Sequence, residues 1–270
     1  MMRNQLEHIR PNHIAMALSL ALFSLAFGQQ SAFARSNHCN NQYLDNQAPE
    51  IKQVDRAQKV TELCFDGYAA AYSGITRTPL WTAEHLTADR IRKAHSVDDK
   101  GDFHAETRLP VAVRSSAATY EKSAYDPGTL APAEDFTSQQ AVAQSFSMAN
   151  VIPQNCWNNR DIWRWIEGTT RHLALTKGDI YVITGPVFTN EVKDALKDGT
   201  RVPTKLFKII YDPHSHQAAA YVVFNKRTDH FNVVSVAKIE AMTGIDFFPD
   251  MPRSVKNTAM HLPVPSSKWK

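Results

Sequence analysis

The chain has 270 residues, 43% of them hydrophobic and 21% charged, with a formal net charge of +3. Such a chain can build a packed core, and no repeat or low-complexity tract interrupts it. The charge excludes a strong global basic field, so any attraction to phosphate must come from local clustering.

Residues 1–34 read as an export signal. Arg3 and Arg10 supply positive charge, Ile14 to Phe27 form an apolar run of 14 residues, and Ala32-Phe33-Ala34 fits a small-x-small cleavage site. A membrane-spanning helix needs about 20 apolar residues, so this run is too short to span stably. The expected mature protein is a soluble single domain of residues 35–270, periplasmic or secreted, with no membrane partner. The signal holds two Arg and one Glu, so its removal takes +3 only to +2.

In an oxidising compartment two of the three cysteines, Cys39, Cys64 and Cys156, are expected to bridge. Cys39 with Cys64 is the preferred pair, because both lie in the N-terminal segment and would staple its start to the sheet. Cys156 is then free and reads as a small buried side chain. Leu63 to Ser73 reads as strand and turn, the alternation around Leu80-Trp81-Thr82-Ala83 as a second strand, and residues 86–102 as an exposed loop or short helix. Thr137 to Gln144 favours a short helix, and a longer one is expected from about Asn158 to Thr176, with Ile162, Trp163, Ile166 and Leu173 on one side. Ile180 to Phe188 is a buried strand. Leu206–Tyr211 and Ala218–Phe224 form a hairpin across Asp212-Pro213-His214-Ser215-His216, and Val236–Gly244 is a short helix closed by glycine. The tail from Met251 is expected to be loose. Strands and helices mix without βαβ regularity, which favours an α+β fold around an antiparallel sheet.

Candidate chemistry concentrates between residues 125 and 171. Tyr125-Asp126-Pro127-Gly128-Thr129-Leu130-Ala131-Pro132 is followed by Asn150, then by Asn159 nine positions later, Glu167 eight after that and Arg171 four further on. Asn offers a neutral carbonyl oxygen of the kind a hard divalent cation accepts, and Mg²⁺ keeps most of its waters. On a straight helix Glu167 lies about 12 Å above Asn159 and about 80° round, too far for shared direct coordination. Arg171 is at i+4 from Glu167, on nearly the same face. The tryptophans Trp157, Trp163 and Trp165 could stack on bases, though core packing is their commoner use. His104, His172 and the His214-x-His216 pair read as ordinary surface or packing histidines.

These segments resemble the catalytic region of the DNA/RNA non-specific endonucleases, the ββα-metal (His-Me finger) nucleases that include endonuclease G. The resemblance covers roughly residues 60 to 250. It implies the ββα-metal fold, hydrolysis of phosphodiester bonds, Mg²⁺ (or Mn²⁺) bound through Asn159, and DNA and RNA as partners without sequence preference, with a homodimer as a further expectation. Asp126, Thr129, Asn150, Glu167 and Arg171 fall at catalytic positions. The family writes the first motif D-R-G-H, its His acting as general base, whereas this chain reads Asp126-Pro127-Gly128-Thr129. A hydroxyl cannot replace an imidazole near neutral pH, and losing a general base costs about 10²–10⁴ in rate. Pro127 also deletes a guanidinium that could grip phosphate. Impaired catalysis is therefore expected. The alternatives are a non-catalytic relative that binds nucleic acid or another partner, a pseudoenzyme, and, with no support in the residues, a phosphodiesterase acting on a small substrate.

Overall fold

The computed structural model describes residues 37–52, 59–189 and 194–269. The expected export signal lies outside them. In chain order the strands are β1 (Glu50–Ile51), β2 (Val60–Phe65), β3 (Tyr68–Ser73), β4 (Thr78–Thr87), β5 (Tyr125–Thr129), β6 (Val151–Asn155), β7 (Asp179–Val187), β8 (Lys205–Asp212), β9 (Gln217–Phe224), β10 (Asn232–Val234) and β11 (Ile245–Asp246). The helices are α1 (Ala88–Ala94), α2 (Gln139–Ser145), α3 (Arg164–Lys177), α4 (Val236–Thr243) and α5 (Arg253–Asn257).

Seven strands form one antiparallel sheet in the order β10-β9-β8-β7-β4-β3-β2. The α+β architecture with a central antiparallel sheet is the one expected. Period-2 alternation gives each central strand two buried faces. On β8, Leu206 and Ile210 face a core shared with Ile162, Trp163, Ile166 and Leu173. Phe207, Ile209 and Tyr211 face the opposite core, which Val236 and Ile239 of α4 and the pair Phe247–Phe248 close. The sheet is thus covered on both sides, and the candidate site lies on the α3 side.

Cys39 and Cys64 are bonded, joining the N-terminal segment to β2, and Cys156 is free and half-buried. The tail departs from its loose expectation. Met251, Met260 and Leu262 are buried, Met260 N–H donates to Ala218 O at 2.9 Å, and Tyr221 Oη donates to Pro263 O at 2.6 Å. Burial of those three side chains and the two hydrogen bonds to β9 fix the segment against the sheet.

Candidate active site

β5 and β6 form a separate two-stranded ribbon whose second strand runs directly into a helical segment, which makes a ββα unit. The ribbon pairs Asp126 with Gln154, Pro127 with Pro153, Gly128 with Ile152 and Thr129 with Val151. Pro127 thus faces a second residue that lacks an N–H, and the ladder is carried by the neighbouring pairs. Gly128 is needed for space, because a Cβ there would lie 2.0 Å from Gln154 Oε1. Thr129 is half-buried at the ribbon's end.

Asn150 holds that end in place. It is fully buried, its Oδ1 accepts from Ala131 N at 3.0 Å, and its Nδ2 donates to Ala131 O at 2.8 Å and Ser145 O at 2.7 Å. Its own carbonyl accepts from Leu130 N at 2.9 Å. The side chain is spent on backbone immediately after Thr129, so it acts on the site by positioning.

Asn155 caps the helical segment, its Oδ1 accepting from Trp157 N and Asn158 N, both at 3.2 Å. After the turn Cys156–Asn158 comes a π-turn, Asn159–Trp163, and only then does α3 begin. This corrects the straight-helix geometry. A π-turn absorbs one extra residue, so Asn159 and Glu167 are in phase as if seven apart, about 20° instead of about 80°. They point to one side of the helix, though still roughly two turns apart.

Asn159 folds back over the ribbon. Its Nδ2 lies 3.4 Å from Asp126 Oδ2, and its Oδ1 takes no hydrogen bond among the described residues. Arg160, which lies outside the family motif, makes a two-pronged pair with Asp126, Nε to Oδ2 and Nη2 to Oδ1, both at 2.9 Å. A guanidinium therefore stands at this carboxylate although Pro127 has none to offer. The adjacency of Arg160 to Asn159 was the only sequence signal for it.

Beneath the ribbon lies a buried ionic layer between sheet and α3. Arg171 donates to Asp135 at 3.2 Å, and Arg90 donates to Glu84 at 3.1 Å and to the carbonyls of Asp135, Gly67 and His85. Lys208 is 1% exposed and donates to its cross-strand neighbour Thr184 at 2.7 Å, with Leu130 O at 3.5 Å. Burial pushes the Glu167 carboxyl up to about 8, with nearby Lys208 pulling it down and Glu134 pushing it further up. Glu84 is also raised to about 8, by burial and by Asp135. Glu167 accepts no hydrogen bond from a described residue, and Glu84 Oε2 is buried without a partner among the described residues. Glu84 and Lys208 each interrupt an apolar strand, and a charge on a buried face was the signal that could have found them.

The structure therefore brings Asp126 and Asn159 into contact on the ββα unit, with Thr129 three residues further along the same strand, Arg171 held in the buried ionic layer by Asp135, and Asn150 fixing the backbone just after Thr129. No group of three or more His, Cys, Asp and Glu side chains could hold a metal among the described residues. A cation would have to rely on Asn159 with waters, a donor set that suits Mg²⁺ or Mn²⁺ and not a soft metal. His104 is exposed with Nε2 3.0 Å from Ala143 O, His172 stacks on Trp269, and His216 Nδ1 lies 3.2 Å from Tyr211 Oη. Trp163 is fully buried and Trp165 half-buried, but Trp157 is 51% exposed.

Residues 46–254 match the model of the DNA/RNA non-specific endonuclease family. The chain is 32% identical over 203 residues to Nuclease C1 of Cunninghamella echinulata var. echinulata, covering 68% of this chain and 81% of that protein. It is 32% identical to the mitochondrial nuclease EXOG of Danio rerio over 208 residues, spanning 68% of this chain and 60% of the relative's length. It is 29% identical to mitochondrial endonuclease G of Caenorhabditis elegans over 215 residues, 71% of this chain and 69% of that one. A chain of the crystal structure of the EndoG/EndoGI complex superposes with a TM-score of 0.66 at 28% identity, covering 72% of this chain and 88% of its own. With the ββα unit, the central antiparallel sheet and these matches together, the chain belongs to the DNA/RNA non-specific endonuclease family, a family of metal-dependent nucleases.

Proposed function

We propose that this protein is an exported nuclease that meets DNA and RNA without sequence preference and hydrolyses phosphodiester bonds slowly, with Mg²⁺ or Mn²⁺ as cofactor. The observation that carries the reading is the placement of Asn159. Its amide lies over Asp126 on the ribbon that ends at Thr129, and its carbonyl oxygen is free among the described residues. Asn159 would hold the cation directly, with Glu167 and Asp126 orienting water around it. A bound divalent cation supplies positive charge to offset that of a phosphate in the transition state.

The remaining roles fall to the chain's own side chains. Arg160 is exposed and adds a guanidinium beside Asp126, where phosphate would approach. Lys208 and Arg171 place two buried positive charges beneath the ribbon. Thr129 can donate or accept a hydrogen bond but cannot take a proton from water near pH 7. Hydrolysis then proceeds about 10²–10⁴ more slowly than with an imidazole at that place.

A second reading is a relative that binds nucleic acid without cleaving it. Its support is Pro127 and Thr129, which take the places of the family's Arg and His in a ribbon whose pairing is otherwise regular. Plasmid nicking and RNA degradation by the purified protein, in Mg²⁺ or Mn²⁺ and in EDTA, separate the two. The first reading expects slow metal-dependent cleavage that is lost in Asn159→Ala. Binding without any cleavage supports the second. Cleavage unchanged in EDTA and in Asn159→Ala overturns the metal-site assignment.

A further inference from the structure

Trp157 is the tryptophan that escapes the core. Half its surface is exposed, it lies two residues before Asn159, and Arg227 covers its ring with the guanidinium carbon 4.3 Å from the centroid. Two residues span at most about 7 Å of chain, so Trp157 belongs to the same short stretch of backbone as Asn159, with its ring directed to a different side of the helical segment. Arg227 comes from the segment after β9, and that segment is tied to the start of the helix. Asn158 Nδ2 donates to Phe224 O at 2.9 Å, Asn155 N to Asn225 Oδ1 at 2.8 Å, and Asn225 Nδ2 to Pro153 O at 3.0 Å. The Trp157–Arg227 pair is thus built onto the ββα unit by specific bonds.

The pair borders a cleft of about 580 Å³ that also involves Trp165 and Ile162. Beside it, Phe224 is 45% exposed and flanked by two cations, Lys205 Nζ at 4.7 Å and Lys226 Nζ at 5.0 Å. Asp161 and Asp229 line the cleft as well; Arg160 is taken up by Asp126, so Arg227, Lys205 and Lys226 exceed those two carboxylates by a single charge. Exposed aromatic rings set among cations suit one ligand chemistry: flat bases carried on an anionic strand. In a duplex the base faces are already stacked on each other, so only an unpaired strand can offer them.

We propose that Trp157, braced by Arg227, is a base-stacking subsite that makes this protein prefer single-stranded over double-stranded nucleic acid. The inference rests on the nucleic-acid reading above and adds strand selectivity to it. The test is fluorescence anisotropy in EDTA, which prevents cleavage, using a labelled 12-nucleotide oligothymidine and a 12-base-pair duplex. The purified protein is compared with Trp157→Ala, Trp157→Phe and Arg227→Gln, with circular dichroism to verify that each is folded. Trp157→Ala is expected to weaken single-strand binding roughly 5- to 100-fold, the equivalent of about 1–3 kcal/mol per stacked base. Duplex binding should change less than about twofold, and Trp157→Phe should retain most of the single-strand affinity. Single-strand binding unaltered by Trp157→Ala overturns the subsite while leaving the nucleic-acid reading intact. Equal loss on both ligands overturns it too, since stacking cannot explain a duplex defect. Failure of the unmodified protein to bind either ligand removes both the subsite and the reading beneath it.

Discussion

Replacing Glu167 with glutamine changes the protein's stability in a pH-dependent way whose size follows from the buried ionic layer. Glu167 is 9% exposed and takes no hydrogen bond from a described residue, and its carboxyl moves from 4.5 to about 8 mainly through burial. A folded-state value above the unfolded one means that the native protein holds the proton more tightly. The group's favourable contribution is therefore complete below about pH 4.5 and is lost as pH rises through about 8. At about 1.4 kcal/mol per unit, that loss is on the order of 4–5 kcal/mol. A glutamine side chain is uncharged at every pH and keeps nearly the same shape, so Glu167→Gln should match the unmodified protein near pH 5 and exceed it near pH 8. For a domain of this size 1 kcal/mol corresponds to roughly 2–4 °C, which puts the difference at pH 8 on the order of 10 °C. Calorimetric melting at pH 5, 6, 7 and 8 in EDTA reads it directly. Glu84 shifts the same way, so both proteins should still lose stability on the alkaline side, the variant less steeply. Parallel curves for the two proteins would refute the reasoning, because they would mean that Lys208 and Arg171 keep Glu167 ionised throughout.

Asn150→Ala removes three buried hydrogen bonds and strands Ala131 N, Ala131 O and Ser145 O. At about 1–3 kcal/mol for each unsatisfied group, chemical denaturation should show a loss of several kcal/mol, whatever the activity. Gly128→Ala must displace Gln154 Oε1 from 2.0 Å, and overpacking of that kind should lower stability by about 1–3 kcal/mol in the same assay. Reduction of the Cys39–Cys64 bond, which spans 25 residues, should destabilise the native state by about 3 kcal/mol, read as a lower urea midpoint in dithiothreitol.

Much of the fold was legible because burial leaves a periodic trace. The apolar runs at 180–188, 206–211 and 218–224 became β7, β8 and β9, since strands covered on both faces read as near-continuous hydrophobic segments. Gly244 ended α4 in the left-handed region, with φ of 72°, as its position in the sequence suggested. The order Asn150, Asn159, Glu167, Arg171 was readable as spacing, but the use of each residue was not. A sequence cannot show that Asn150 spends its amide on Ala131 and Ser145, because that depends on where a second loop passes. The π-turn at Asn159–Trp163 also left no periodic trace, and it changes which face Asn159 shares. Arg160 carries no sequence pattern that singles it out, and only the ribbon's placement of Asp126 against it gives it a role. The tail was misjudged because prolines and serines outweighed Met251, Met260 and Leu262, whose partner surfaces, in the two cores on opposite faces of the sheet, exist only in the folded protein.

The central claim is that a metal-binding frame persists in this chain while the proton acceptor opposite it is gone. Initial rates of supercoiled-plasmid nicking in Mg²⁺ test it most directly, for the unmodified protein, Thr129→His, and Thr129→His combined with Asn159→Ala. The frame should let an imidazole at that position raise the rate about 10²–10⁴-fold, with the gain abolished when Asn159 is also removed. A folded Thr129→His variant no faster than the unmodified protein, or a gain that survives the loss of Asn159, would contradict the account.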